Sequence, residues 1–446
     1  MNLEKESLPV LQKALEKLES SFSALPSVQS SVDTKTLERV LLEVAERLGD
    51  NYPYFHPLYA GQMLKPPHPV ARIAYALALW VNPNNHALDG GRASSAMEKE
   101  AVAEIARMFG WEMHLGHLCS GGTMANLEAL WIAGKLQPRK LIVASEQAHY
   151  THARISGVLG LPFQSVACDE RGRMDVEALS SLLKGGKVGT VVATVGTTST
   201  GSVDPLSELL ELRKQYSFRL HVDAAYGGYF VLANNLAGVT RKAYDKIREA
   251  DSIVVDPHKH GLQPYGCGCV LFRDPGVGRL YKHESPYTYF SSGDLHLGEI
   301  SLECSRPGAA AVALWATQKM LPLTKGGEFA QMLQESLAAG KELYGRLTQD
   351  ERFVPAFEPE LDIVVWLVRS SRASEASDRA RRVFDEAAKR DLHLALATLP
   401  VDFFQTSAPE MVRDRETVVC LRSVLMKPEH RGWLNQIWQR LKAASE

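Results

Sequence analysis

Residues 252–261 read SIVVDPHKHG, and the change of character halfway along decides how the rest of the chain is read. Ile253, Val254 and Val255 are β-branched and suit a strand buried on both faces. The run stops at Asp256-Pro257, and Lys259 then stands between His258 and His260. A lysine at the end of a buried strand is a poor structural choice unless it is paired or reactive. A charged turn, a metal site, a phosphate site and a reactive amine are the four readings.

Outward from that stretch the pattern alternates. Helix 123–136 precedes strand 141–144, helix 175–184 precedes strand 190–195, strand 219–223 follows, and helix 240–249 leads into strand 252–255. This rhythm predicts an α/β fold with a mostly parallel central sheet and helices on both faces. Upstream, the apolar spacing predicts two helices within the first 50 residues. Ser95-Ala96-Met97-Glu98 reads as a capping box opening a helix that Gly110 closes. Beyond residue 325, helices 327–348, 375–390 and 431–444 with strands 363–368 and 418–425 predict a small C-terminal α/β domain. The expected division is an N-terminal helical segment (1–80), a large domain (81–325) and a small one (326–446).

The 446 residues are 45% hydrophobic and 23% charged, with net charge −2. That is ordinary globular composition, without the field that nucleic acid or an anionic membrane would require. The acidic, discontinuous N-terminus does not read as a signal peptide, and no apolar run is long enough to span a bilayer. Six cysteines, at 119, 168, 267, 269, 304 and 420, are scattered rather than arranged as zinc ligands, so reduced thiols and a cytoplasmic location are expected.

In open parallel sheets, ligands bind where strands end. The residues expected there are Ser145-Glu146-Gln147-Ala148-His149, Gly196-Thr197-Thr198, Asp223-Ala224-Ala225 and Asp256-Pro257-His258-Lys259. Upstream, Ser120-Gly121-Gly122-Thr123 opens a helix with exposed N–H groups, an anion cradle. A metal would need His258 and His260 to face one point, and no third ligand is evident, so none is expected. Pyridoxal 5′-phosphate instead uses every feature: a lysine for its aldehyde, a carboxylate for its ring nitrogen, N–H groups for its phosphate and a flat group for its ring face.

With those pieces in order, the chain resembles the group II pyridoxal-phosphate-dependent amino-acid decarboxylases, a fold-type I family. This family includes glutamate, aromatic-L-amino-acid and archaeal tyrosine/aspartate decarboxylases. The matching pieces are HP at 56–57, SGGTMANLEAL at 120–130, SEQAH at 145–149, ATVGTT at 193–198 with Asp204, HVDAAYGG at 221–228, DPHKHG at 256–261 and SR at 305–306. The resemblance implies that Lys259 holds the cofactor as a Schiff base, Asp223 pairs with its ring nitrogen and His149 stacks on the ring. Gly122, Thr123 and His258 would take the phosphate, Ala225 would pack on the ring, and Thr198 would line the site. Asp256 differs from the asparagine or serine of several relatives, and beside a phosphate it is expected to turn toward backbone or His258.

The resemblance further implies decarboxylation of an L-amino acid to amine and CO₂, in a homodimer with shared active sites. The runners-up are an aromatic aldehyde synthase, an aminotransferase, a lyase like sphingosine-phosphate lyase, and a non-catalytic scaffold. His56, Tyr59, His86 and Tyr287 are candidate substrate contacts, and their aromatic character favours an aromatic over an acidic substrate. Arg422, on an expected small-domain strand, is either a carboxylate clamp or an interface ion. Tyr289, with Tyr287 the alternative, is the candidate loop proton donor. Replacing a general acid costs on the order of 10²-fold. Tyr289→Phe is therefore expected to slow amine formation by that order or divert product to aldehyde; unchanged turnover and product would remove Tyr289 from the reaction.

Overall fold

The computed structural model describes residues 5–28, 32–86, 90–282 and 299–446. Its large sheet has seven strands in the order β1-β7-β6-β5-β4-β2-β3. These are β1 (Leu115–Cys119), β2 (Leu141–Ser145), β3 (Phe163–Val166), β4 (Val188–Thr194), β5 (Arg219–Asp223), β6 (Ser252–Val255) and β7 (Gly268–Phe272). Neighbours from β3 across to β6 pair in parallel, whereas β7 runs antiparallel between β1 and β6. All the other strands therefore end on one edge. Thr194 lies opposite Asp223, and Asp223 opposite Val254, so the expected strand-end residues arrive side by side. Strands β4 and β6 are buried at every position, as their continuous apolar sequences require.

A second sheet is wholly antiparallel, in the order β10-β11-β9-β8: β8 (Phe353–Pro355), β9 (Ile363–Val368), β10 (Ala395–Pro400) and β11 (Thr417–Val424). Helices Glu328–Gln349, Ala373–Ala388 and His430–Ala444 cover it. One hydrophobic cluster runs from the large sheet through Leu361 and Ile363 into this smaller one, so the two layers share a core.

Two features depart from expectation. Helix Arg92–Met108 starts before Ser95, with Gly91 at its N-cap. Glu98 makes no capping box: it is buried and accepts from Arg306 Nη1 at 2.8 Å, Leu118 N at 2.9 Å and Asn85 Nδ2 at 2.6 Å. Helices Pro69–Leu79 and Gly308–Met320 were not foreseen. Each is dominated by Ala and other apolar residues, so it lacks the polar stripe that betrays a helix in sequence; the two pack against each other.

The Arg306–Glu98 pair ties the segment before Gly308 to the edge strand β1, because Arg306 Nη1 also donates to Leu118 O at 2.6 Å. Removing one member of a buried pair leaves an uncompensated charge, at a cost of about 3–5 kcal/mol. Arg306→Leu is expected to lose stability by that amount in denaturant unfolding; a loss under ~1 kcal/mol would show that the pair does not secure this edge.

Candidate active site

The edge where β1, β2, β4, β5 and β6 end encloses a cavity of about 330 Å³, within the ~300–1,000 Å³ usual for small-ligand sites. Its walls include Gly122, Thr123, His149, Thr198, Asp223, Ala225, His258 and Lys259. The sequence named these eight residues from five separate segments, and the fold brings all eight to one cavity.

Asp223 is the electrostatic centre. Its Oδ2 accepts from His152 Nε2 at 2.8 Å and Asn126 Nδ2 at 3.2 Å, and its Oδ1 accepts from Ala225 N at 3.1 Å. Burial alone would raise this carboxyl. The hydrogen bond and charge of His152, with Lys259 nearby, outweigh it and hold Asp223 well below the usual carboxylate range. Behind it stands a relay of partners. Burial pushes His221 down to about 3, so the ring is neutral near pH 7. Its Nε2–H donates to Asn126 Oδ1 at 2.8 Å, and its Nδ1 accepts from the Ser252 hydroxyl at 2.9 Å. Asn126 is thereby turned with its NH₂ toward Asp223.

Lys259 follows β6 in a tight turn. Its Nζ lies 3.0 Å from Asp256 Oδ2, with His258 Nε2 at 3.5 Å from the same oxygen. Asp256 thus turns toward both Lys259 and His258. His258 Nδ1–H donates to Cys267 O at 2.8 Å, which leaves Nε2 facing the cavity side, and burial keeps this imidazole below its ordinary range. His260 points elsewhere, into the core toward Asp362. The histidines flanking Lys259 therefore do not converge on one point, as a metal reading would need.

The N-terminus of helix Gly122–Leu136 opens on the same cavity. A Cβ at Gly122 would meet the Asp256 carboxylate at 2.8 Å, and one at Gly268 would meet the Gly121 backbone at 2.5 Å. This close approach leaves backbone N–H groups and the Thr123 hydroxyl free to cradle an anion. His149 is held by Thr151 Oγ1 at 2.8 Å from Nδ1, and burial lowers its pKa. An ionised buried carboxylate, an amine, a flat imidazole and an N–H cradle in one small cavity fit pyridoxal phosphate.

Other candidates lie away from the cavity. His56 packs edge-on to Trp433 at 4.8 Å, and Tyr59 is buried against Tyr54 at 5.0 Å. The irregular segment that carries them pairs with the small sheet, where Ala60 N donates to His393 O and Val424 N to Ala60 O. His86 is half-buried beside Asn84 and does not line the cavity. Tyr287 and Tyr289 lie outside the described residues. His152, Asn126 and His221 were not foreseen. Asn126 and His221 stand inside the SGGTMANLEAL and HVDAAYGG matches, and His152 lies three residues beyond His149, but nothing local showed their direction.

Comparison with known proteins agrees with this geometry. The pyridoxal-dependent decarboxylase conserved domain matches residues 123–369. The chain is 31% identical to a probable L-tyrosine/L-aspartate decarboxylase of Methanothermobacter thermautotrophicus, over 72% of this chain and 85% of that one. It is 27% identical to the L-tyrosine decarboxylase of Enterococcus faecium, over 79% and 76% of the two chains. Among solved structures it shares its fold with mouse CSAD (TM-score 0.78, 21% identity, 97% and 92% of the chains covered). It does so equally with Oryza sativa TDC bound to PLP and tryptamine (TM-score 0.78, 17% identity, 100% of both chains). The fold is that of fold-type I pyridoxal-phosphate enzymes, and the chain belongs to the pyridoxal-dependent decarboxylase family as a pyridoxal-phosphate-dependent amino-acid carboxy-lyase.

Proposed function

We propose that the preferred substrate is an aromatic L-amino acid, released as the amine and CO₂. The observation that carries this reading is the lining of the cavity. Among its described lining residues Lys259 is the one ammonium and there is no guanidinium, so these described walls offer no partner for a second, distal carboxylate. The relatives include tyrosine decarboxylases and aspartate decarboxylases alike, so the lining alone carries the choice.

In this proposal Lys259 binds the cofactor covalently and His149 covers one ring face. Gly122, Thr123 and His258 hold the phosphate, and Ala225 and Thr198 close the remaining walls. Bound pyridoxal phosphate supplies an aldehyde for the substrate amine and a ring that accepts the electron pair released with CO₂. Asp223, kept ionised by His152 and Asn126, holds a proton on the ring nitrogen and so deepens that sink. Asp256 Oδ2, 3.0 Å from Lys259 Nζ, would hold this amine in the site when it is free of the cofactor. Arg422 is a bridge rather than a carboxylate clamp. Its guanidinium is spent on Thr198 O at 2.6 Å, Ser199 O at 3.1 Å and Gln62 Oε1 at 3.0 Å. That spending counts against an aminotransferase.

A homodimer with shared sites is part of the proposal. Helix Thr34–Leu48 exposes Leu37, Val40, Leu41, Val44 and Leu48, a stripe that a second copy would bury. Among the described residues no helix is long and apolar enough to cross a membrane; cytoplasm remains the proposed compartment. The division at residues 80/81 and 325/326 is likewise proposed, supported by one sheet lying within 115–272 and the other within 353–424.

Reconstituted enzyme offered the common L-amino acids is expected to release CO₂ and amine fastest from an aromatic one, while Lys259→Ala forms no borohydride-trapped adduct. Faster turnover of aspartate or glutamate, or keto acid or aldehyde as main product, would sink this reading. Asp223→Asn is expected to leave the fold intact by circular dichroism and to cut amine formation by on the order of 10²–10³-fold, as loss of a preorganised charge does. Near-normal turnover would exclude the role given to Asp223.

A further inference from the structure

His260 had no assigned part, and the fold gives it a specific setting. Its side chain is fully buried, with ring centroids 4.8 Å from Tyr226 and 4.6 Å from Phe230. Its Nε2 lies 3.3 Å from Asp362 Oδ2, off the line of a full hydrogen bond. The other carboxylate oxygen, Asp362 Oδ1, accepts the Tyr226 hydroxyl at 2.6 Å. Asp362 is 0% exposed and immediately precedes β9 in the small sheet. Its backbone oxygen takes Leu425 N at 2.9 Å, which fixes it to the end of β11. Positive charge from Lys65 also reaches this carboxylate. An anion buried this deeply persists only where such partners surround it.

The sequence positions of the two ties are telling. Tyr226 is three residues beyond Asp223, and His260 is one beyond Lys259. A single carboxylate of the small sheet therefore holds both turns that carry the groups for the cofactor's ring nitrogen and aldehyde. We propose that Asp362 is a positioning residue for the decarboxylation: through Tyr226 and His260 it fixes the separation of Asp223 and Lys259. This rests on the reading that those two residues hold the cofactor. The small sheet then acts on the chemistry without touching the reacting atoms, and a displacement on the order of 1 Å at such a site costs up to about 100-fold in rate.

The test uses reconstituted holoenzyme carrying Tyr226→Phe, His260→Leu, the double substitution, or His260→Gln, which can still donate to Asp362. Tyr226→Phe and His260→Leu are each expected to lower kcat by about tenfold with KM within about twofold. Each should also change the visible circular dichroism of the bound cofactor, which reports its tilt in the site. The double variant should lose less than the product of the single losses, because both ties act through one carboxylate. His260→Gln should recover most of the His260→Leu loss. Unchanged kcat and visible dichroism would overturn the inference, as would losses that multiply and disappear after correction for the folded fraction. Borohydride trapping separates the two levels of failure. An adduct in all variants with unaltered kcat defeats positioning alone, whereas no adduct in the wild type defeats the underlying reading and this inference with it.

Discussion

An ionised carboxylate inside a protein must be surrounded by donors, and this active site is built around meeting that demand for Asp223. Desolvation works against the charge, and His152, Asn126 and the Ala225 N–H oppose it. Much else is arranged to serve those contacts. His221 is kept neutral so that it can donate to Asn126 and fix the direction of the amide. Ser252 sits opposite His221 on the neighbouring strand and donates its hydroxyl to the remaining ring nitrogen. The parallel sheet is the device that brings five strand ends, and hence these side chains, to one edge.

Lys259 shows the complementary solution. Its amine stands in a partly open cavity with Asp256 as its near partner, and that same carboxylate lies against Gly122. The glycine turn, the carboxylate and the amine are thus packed within a few ångströms, and glycine is what makes the spacing possible. The carboxylates differ in what they face: Asp223 faces neutral and ring donors fixed by the fold, whereas Asp256 faces the flexible amine of Lys259.

Much of this was legible in the sequence because it is local. A strand announces its end within a few residues, so Asp223, Lys259, His149 and Thr198 could be placed on one edge from periodicity alone, and the resemblance supplied their roles. What escaped was set by distance along the chain or by misleading local pattern. His152 and Asn126 reach Asp223 across separations of 71 and 97 residues, and no spacing rule links them. Ser95-x-x-Glu98 matches a helix start, yet burial opposite Arg306, 208 residues away, gives Glu98 another role. His56 and Tyr59 looked like pocket residues because a long aromatic loop usually has a ligand; here its backbone is spent on the small sheet. His260 was passed over because the partner that gives it meaning, Asp362, lies about 100 residues further on, just before a strand of the second layer.

The antiparallel return strand β7 has a consequence for biosynthesis. It is inserted between β6 and β1, and its first residue, Gly268, is pressed against Gly121. The Gly121-Gly122 turn and the Lys259 turn, some 140 residues apart in the chain, are thus joined through β7, which pairs with the strand leading into each of them. Contacts of such long range form late and slowly. With the cofactor held as proposed, a chain lacking β7 would carry the two halves of that site apart, and loading would wait on this strand.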